Sequence, residues 1–546
     1  GGISGLYTAL RLVDDNTVMG NNICIFEKER ILGGKIQTVE VKRTHPPLYF
    51  ELGGTVFNPE TQPLLNDLIK RFAIKTSCLH HNCTSGVDVA WWFLRNKIIS
   101  KRDISDSSKL PYSFDPEEEW GPNKPKSHPP DIISMMTKEL FSNIEANKET
   151  LANPNPQIKY RALIAIVNEL KTHQWEQFNL SSVSGRAFFN DLGMSDELNS
   201  FLQDYDPTIS DIGRYSLFSI GLNLALFYAK VSDYITDLGT HQLEHGSSLI
   251  SAIGAQLTKR EVRIFTSTEV SLVTKTDDGR YSIVVTSKSN KNRVAYGPKF
   301  TVSTDKIILA INPSDLLTRF DYDSEMFVKA TSSMRESYTI YNRPVGQERL
   351  VLYLDNLNFL KSLGTKDNRI ISTLPQKQLT YQRGNIIVDD DGDWFGVFEA
   401  MYTTGPNTDY WERYDTSKTS SLVSLNRVQL EDIHDQVDKL HKGQVNGTID
   451  RAQYGYMSNW KDFGGGSYPL QPSEMPLWIR YKNIMNPVQG EQIYIASGGF
   501  GLKTRSIEGC LEMVEHMLNV YFGVKKPDYI DNNYYNNIIL ASYLLG

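Results

Sequence analysis

Two hydrophobic patterns alternate along this chain of 546 residues. Apolar side chains recur at helical spacing through 60–74 and 131–206, where few glycines interrupt them. Residues 261–311 change to short strand-like runs, with the hairpin turn signal Asp-Asp-Gly at 277–279. Further strand-like runs follow within 345–400. The pattern therefore predicts a mixed fold of the α/β type, in which helices and strands are interspersed.

Polar segments separate these regions. Residues 101–130 are rich in Pro, Ser, Lys and Asp, which predicts a loop or an insertion. Residues 526–537 are dense in Asn, Asp and Tyr, and we expect them to be irregular. The apolar end at 538–545 is too short to cross a bilayer, so we expect it to pack on the protein surface or on a partner. No apolar run reaches 18 residues, and no membrane span is predicted.

Composition narrows the class of protein. A hydrophobic fraction of 40% over this length is enough for two or three domains. The net charge of -7 leaves no basic surface, so nucleic acid is not a predicted partner. Four cysteines are too few for a disulfide scaffold. Cys78 and Cys83 flank His80 and His81, but no second ligand cluster follows at a matching spacing, so no metal site is predicted.

The first residues carry the pattern of a dinucleotide site. Gly1-Gly2-Ile3-Ser4-Gly5 fits the last five positions of G-x-G-x-x-G. Glycine is needed there because a Cβ would keep the backbone from approaching a pyrophosphate, and the following helix offers its free N–H groups. Glu27 ends the next apolar run, at the distance where a carboxylate accepts hydrogen bonds from ribose hydroxyls. An acid at this position disfavours a 2′-phosphate, so NADP is not predicted.

The missing glycine of this motif and an apolar strand are expected before Gly1. Targeting signals would also lie there, so the compartment is not predicted. A soluble protein of the cytoplasm or of a virion is the working expectation.

Further motifs follow in a fixed order, and together they resemble the flavin-containing amine oxidase superfamily. That superfamily includes monoamine and polyamine oxidases, L-amino-acid oxidases, histone demethylases and protoporphyrinogen oxidase. The segment that ends in Gly33-Gly34-Lys35 is similar to its E-x-x-x-x-x-G-G-R motif, and Phe50–Gly54 is similar to its F-D-x-G-G turn. The remaining matches lie at 246–249, 308–313, 493–498 and 507–509.

The resemblance implies a Rossmann-like FAD-binding domain of the glutathione-reductase type. This domain would be interleaved with a substrate domain of mixed sheet and helices. The expected FAD-binding segments are 1–80, 236–325 and 451–525. The expected substrate and helical segments are 81–235 and 326–450, with 526–546 as a C-terminal tail.

FAD is the cofactor that the resemblance implies. Lys35 replaces the family's arginine, which keeps the charge but loses the bidentate fork. Ser467 stands where monoamine oxidases carry the cysteine that links to flavin, so we expect non-covalent FAD. The residues expected to contact FAD are Gly2, Gly5, Glu27, Gly33, Gly34, Lys35, Gly53, Gly54, Val270, Gly498 and Glu508.

On the reacting face, the resemblance places Tyr468 and Trp460 at the aromatic wall for the substrate amine. The alternative, that these rings only pack in a core, stays open. The second tyrosine of the wall falls near Ser506 and is lost. The lysine that the family places near flavin N5 is expected around 344–350, where the sequence has none and Arg349 is the candidate substitute.

The resemblance predicts an FAD-dependent, amine oxidase-like oxidoreductase. It would oxidise a C–N bond of a small amine or amino acid, with O2 as the acceptor, to an imine and H2O2. Two alternatives stay open. One is a flavin desaturase or a protoporphyrinogen oxidase-like enzyme that acts on a non-amine. The other is a weakly active or inactive flavin fold with a structural or assembly role, for example in a virus, as a homo-oligomer or with an assembly partner.

Overall fold

The computed structural model describes residues 1–41, 48–54, 56, 57, 59, 62–78, 89–104, 106–114, 140–153, 155–205, 215–229, 241–243, 246–287, 298–311, 347–354, 356–363, 369–375, 377–381, 386–404, 408–411, 422–444, 449–458, 483–488, 490–498 and 506–540. The α-helices of these residues are α1 (Ile3–Asp14), α2 (Pro63–Arg71), α3 (Ser142–Ala146), α4 (Lys148–Leu151), α5 (Pro156–Thr172), α6 (Gly185–Asp191), α7 (Asp196–Tyr205), α8 (Leu217–Tyr228), α9 (Gly246–Lys259), α10 (Thr408–Trp411), α11 (Arg427–His441), α12 (Ile507–Phe522) and α13 (Asn532–Tyr534). A π-helix, Tyr535–Leu540, continues from α13.

The strands of the same residues are β1 (Cys24–Phe26), β2 (Thr38–Val41), β3 (Leu48–Glu51), β4 (Val56–Phe57), β5 (Thr76–Cys78), β6 (Val89–Leu94), β7 (Lys97–Ser100), β8 (Gln174–Trp175), β9 (Phe178–Asn179), β10 (His241–Leu243), β11 (Arg263–Phe265), β12 (Thr268–Lys275), β13 (Tyr281–Ser287), β14 (Lys299–Thr304), β15 (Ile307–Leu309), β16 (Gln347–Leu354), β17 (Arg369–Ser372), β18 (Gln378–Thr380), β19 (Ile386–Val388), β20 (Trp394–Thr404), β21 (Leu422–Ser424), β22 (Tyr454–Ser458) and β23 (Ile493–Ile495).

The cofactor-type part is built on parallel pairs of strands. Strand β1 pairs in parallel with β11, and β15 pairs in parallel with β23. Helix α1 packs against α9 and α12, and its Leu6, Tyr7 and Leu10 are almost fully buried. Parallel strands with crossover helices give a Rossmann-like arrangement. The antiparallel β12–β13–β14 meander completes this part, and Gly279 at φ +83° confirms the predicted 277–279 hairpin turn.

The second part is a nine-stranded sheet in the order β21-β22-β16-β20-β18-β17-β6-β7, with β19 beside β20. Helix α11 covers one face of this sheet, and its start is fixed by a capping box between Asn426 and Gln429. The β2–β3 hairpin covers the other face, where Phe50 packs near Val397. Strand β22, assigned from sequence to the cofactor-binding segments, pairs here with β16 and β21. We therefore propose the boundary after Ser458 rather than before 451.

Helices α3 to α8 form the helical part. Helix α8 is apolar on nearly all sides, as a fully surrounded helix must be. It lies so close to its neighbours that a Cβ on Gly221 would stand 2.7 Å from the ring of Phe141. Helices α2 to α7 confirm the predicted helical stretches within 63–71 and 142–205, except at 174–179, where the short strands β8 and β9 pair; residues 131–139 lie outside the described ones. None of the helices in the described ranges is long and apolar enough to cross a membrane.

The tail corrects one expectation from the sequence. Residues 532–540 are helical rather than irregular. Tyr534, Tyr535, Ile538 and Ile539 are buried, and they join the main core instead of a partner's surface. Their spacing of one, three and four residues puts them on one helical face, a signal that the many Asn and Asp residues hide.

Two buried histidines lie at the centres of the two parts. In the substrate sheet, Nδ1 of His441 donates to Val437 O, so Nε2 accepts from the Tyr381 hydroxyl. In the cofactor-type part, Nδ1 of His516 donates to the carbonyl of Ile539. Burial lowers the pKa of each imidazole to about 4. Each ring is therefore held neutral in the folded protein.

These histidines predict a loss of stability in mild acid. The pKa of each ring is lower in the folded chain than its ordinary value of 6.5, so the unfolded chain binds more protons below that value. The contribution of each neutral histidine to the free energy of unfolding is complete above pH 6.5. It decreases by about 1.4 kcal/mol for each pH unit as the pH falls towards 4. Urea unfolding at a series of pH values measures it. His441→Gln should reduce the slope, and the partly exposed His434→Gln on the same helix is the control.

Candidate functional site

Two glycine turns contact each other at the start of α1. The amide of Gly33 donates to Gly1 O at 2.9 Å, and Gly2 and Gly33 form a parallel bridge. Gly34 has φ +57°, and a Cβ there would lie 3.2 Å from the Cα of Gly2. The first helical turn and the segment after β1 therefore meet backbone to backbone, which only glycine allows at this distance.

Glu27 lies beside the first of these turns. Its Oε2 is 3.1 Å from the Gly1 nitrogen, and its Oε1 accepts from the Glu29 amide at 2.8 Å. A Cβ on Gly1 would stand 2.6 Å from Oε2. The acid is thus held at the amino end of α1, in the position that the dinucleotide motif predicts for it.

A third glycine turn is fixed on the backbone of Lys35. The Gly54 amide donates to Lys35 O at 3.0 Å, and a Cβ on Gly53 would stand 1.5 Å from that oxygen. On its other side, Gly54 faces the Ile507 side chain at the start of α12. The turn therefore joins the second glycine motif to the last long helix.

The amino ends of α1 and α12 meet near this turn. The Ser4 side chain, in the first turn of α1, is hydrogen-bonded to the Cys510 thiol of α12. A Cβ on Gly498 would stand 2.1 Å from Cys510 Sγ. Burial raises the pKa of the Cys510 thiol, while Ser4 and Lys35 act in the opposite direction. Two helix N-termini and a lysine thus lie near this thiol, and each of them favours a negative charge.

We define the cradle as the glycine turns at 1–5, 33–35 and 53–54 together with Gly498; Gly5 belongs to it, and Val270 is a further predicted contact. Gly5 faces the end of β15, where its Cβ would lie 3.1 Å from Ala310. Val270 lies in β12 immediately before a register shift against β13. Such a bulge changes the direction of the backbone N–H and C=O groups, which is compatible with the predicted contact of Val270 with adenine.

Glu508 has a structural role that the sequence does not predict, and its predicted cofactor contact stays a prediction. Its carboxylate oxygens accept from the amides of Leu64 and Leu65, at 3.0 and 2.8 Å, and therefore cap the start of α2. The side chain is fully buried. Ser506, considered as a lost wall tyrosine, is the N-cap of α12 and accepts from the Gly509 amide at 3.0 Å.

The substrate-side residues stay a prediction. Trp460, Ser467 and Tyr468 lie outside the described residues, as do His80, His81 and Cys83 of the sequence's Cys/His cluster. Arg349 lies in β16, in register with Tyr402 of β20, but its side chain is not among those described. The structure therefore brings together the cofactor half of the predicted site.

The cradle fits a dinucleotide cofactor on three observations. Its glycine turns pack closely on one another and on neighbouring backbone, as a dinucleotide motif requires, and the helix N-termini and Lys35 suit a diphosphate. Glu27 supplies an acceptor at the ribose end. A fold with these features and a separate mixed sheet defines the flavin-dependent oxidoreductase class.

The comparisons with known proteins specify the class further. The model of the family described as flavin containing amine oxidoreductase matches residues 3–346. The chain belongs to this family of flavin-containing amine oxidoreductases. Comparison with the curated proteins gave no match.

Solved structures of putrescine oxidase share the fold. The wild-type enzyme bound to putrescine is 13% identical, with a TM-score of 0.57 over 94% of this chain and 95% of that chain. A double mutant from the same work on redesign of cofactor binding is 14% identical, with a TM-score of 0.56 over the same shares. At this identity the likeness concerns the fold, and it confirms the predicted pairing of a Rossmann-like FAD-binding domain with a substrate domain.

A matched pair of glycine variants tests the cradle. Gly53→Ala should destabilise the protein by about 3 kcal/mol or more, because the new methyl group would overlap the backbone oxygen of Lys35. Gly54→Ala should cost less, since its methyl group meets the end of the flexible Ile507 side chain at 3.1 Å. Thermal unfolding of both variants measures this. Equal losses would show that this turn is not packed as described.

Glu27 should contribute strongly to cofactor affinity. Glu27→Gln keeps the shape of the side chain but removes the charged acceptor, a loss of about 1.5–3 kcal/mol or roughly 10- to 150-fold in Kd. Fluorescence titration of the apoprotein with FAD measures the change. Glu40→Gln, at an exposed position of β2, is the control and should leave Kd unaltered. Equal Kd values for the two variants would remove Glu27 from the site.

Proposed function

We propose that this protein is an FAD-dependent oxidase that acts on a C–N bond of a small amine or amino acid. The observation that carries the proposal is the cradle, in which three glycine turns meet around two helix N-termini. When bound, the flavin supplies two-electron oxidation of the amine to an imine, with O2 as the final acceptor and H2O2 as the second product.

The chain's own residues bind and orient the cofactor. The Glu27 carboxylate accepts hydrogen bonds from the adenosine ribose, while Gly2, Gly5 and the first turn of α1 face the pyrophosphate. Lys35 adds a positive charge on the same side, without the fork of an arginine. Gly33, Gly34, Gly53, Gly54 and Gly498 let the backbone close around the ligand.

We propose non-covalent attachment of FAD. A serine hydroxyl at position 467 cannot form the thioether that a cysteine would form there. Cofactor binding then depends on the cradle alone, so changes in the cradle should alter the flavin content of the purified protein.

On the substrate side we propose Tyr468 and Trp460 as the aromatic wall and Arg349 as the cation near the reacting face. An aromatic face orients an amine through the ring's electron-rich surface. Strand β16, which carries Arg349, lies between β20 and β22 inside the nine-stranded sheet, and such a position gives the residue a rigid support. The fold shared with putrescine oxidase supports an amine as the substrate class.

Spectroscopy of the purified protein tests the proposal. The protein should show flavin absorption bands that bleach when a panel of mono-, di- and polyamines or amino acids is added without oxygen. The bands should return in air, with one H2O2 formed per turnover. Acid precipitation should release all flavin into the supernatant, because no covalent link is expected.

Other results would contradict it. If no amine or amino acid bleaches the flavin bands but a substrate without an amine group does, a desaturase-type enzyme is favoured. A protein that binds no FAD in the titration would leave the structural or assembly role.

The variants Tyr468→Phe and Tyr468→Ala form the matched pair, since only the second removes the ring that should orient the amine.

A further inference from the structure

Helix α12 carries a row of buried acids that cofactor binding does not explain. Glu508, Glu512 and Glu515 follow at spacings of four and three residues, so they lie on one face of the helix. None of them is more than 2% exposed. Burying a carboxylate is costly unless hydrogen bonds or an opposite charge compensate it, so the groups that satisfy this row must be firmly placed.

The C-terminal segment supplies several of these groups. The Tyr534 hydroxyl donates to Oε1 of Glu512 and lies 3.3 Å from Oε1 of Glu508. The Tyr535 hydroxyl lies 3.5 Å from Oε2 of Glu515. Burial and the nearby Glu515 carboxylate raise the pKa of Tyr535, so it stays a hydrogen-bond donor.

Helix α1 supplies the groups that compensate the charge of Glu515, and it also binds the start of the C-terminal segment. Arg11 Nε donates to Glu515 Oε1 at 2.5 Å, and the Tyr7 hydroxyl donates to the same oxygen at 2.7 Å. Arg11 Nη2 also donates to the carbonyl of Lys525 at 2.6 Å. One guanidinium therefore binds both the acid row and the start of the C-terminal segment.

The same contacts reach two other parts of the molecule. Through Glu508, the row caps the start of α2, which follows the glycine turn at 53–54. Residues 532–540 also pack against α5 of the helical part. The segment thus lies between the cofactor-type part and the helical part and contacts both.

We propose that residues 525–540 form a clasp, which joins the helical part to the cofactor cradle through the acid row of α12. Closing the clasp satisfies Glu508 and Glu512 and keeps α2 and α5 in place. Opening it leaves two buried carboxylates without the Tyr534 hydroxyl. The effect on cofactor retention rests on the proposed FAD function, whereas the mechanical coupling does not.

The test compares Tyr534→Phe with Tyr529→Phe in the full-length protein. Both changes remove one hydroxyl from the same segment. Tyr534 contacts Glu512 directly, whereas the Tyr529 hydroxyl lies 3.3 Å from that of Tyr7 and is therefore one hydroxyl further from Glu515. Tyr534→Phe should make amide hydrogen exchange about tenfold faster in 525–540, in α5 and in α2, because a buried carboxylate loses a donor. FAD release should be faster by a similar factor. Tyr529→Phe should change exchange little outside 525–540.

Exchange that rises only in 525–540, or equally in both variants, would overturn the clasp. FAD release that stays the same while α2 and α5 open would overturn the link to the cradle. If the wild-type protein binds no FAD, the proposed function fails on its own, and exchange in α2 and α5 alone decides the clasp. The two failures are therefore distinguishable.

Discussion

The backbone contact between Gly2 and Gly33 is the constraint on which the cofactor-type part depends. The bond from the Gly33 amide to Gly1 O sets the distance between α1 and the segment after β1. That distance also brings Glu27 to the amino end of α1. The tight position is Gly34, where a Cβ would lie 3.2 Å from the Cα of Gly2, so a side chain there would push the two turns apart and displace α1 from the segment that carries Glu27.

Helix α12 extends this constraint to the rest of the molecule. Its first turn touches both α1, through Cys510 and Ser4, and the glycine turn at 53–54, through Ile507. Its buried acids then fix α2 and the C-terminal segment. A single helix therefore transmits the position of the cradle to elements far away in the sequence, because buried charges tolerate little displacement of their partners.

The meeting of the first two glycine turns with Glu27 could be predicted from the sequence because the motif that implies it is local. Its glycines and its acid occur at short, fixed spacings, as Gly2, Gly5 and Glu27 do, whereas their contacts with a cofactor stay a prediction. The cap that Glu508 provides could not be predicted, since its partners Leu64 and Leu65 are more than 400 positions away. The same holds for β22, whose place is decided by its pairing with β16.

The tail shows why composition misleads where tertiary partners decide. Asn and Asp favour turns in isolation, which is the basis for expecting an irregular tail. In the structure, Asp531 instead starts α13 by accepting from the amides of Asn533 and Tyr534, and the tyrosines that follow find carboxylates on α12. Phenols are suited to this place because their rings fill the core while their hydroxyl groups satisfy buried acids. Tyrosines are therefore suited to cover a buried acidic helix face, whereas the Asp and Asn residues around them start the helix or lie towards solvent, so the polar composition of this segment does not by itself indicate a loop.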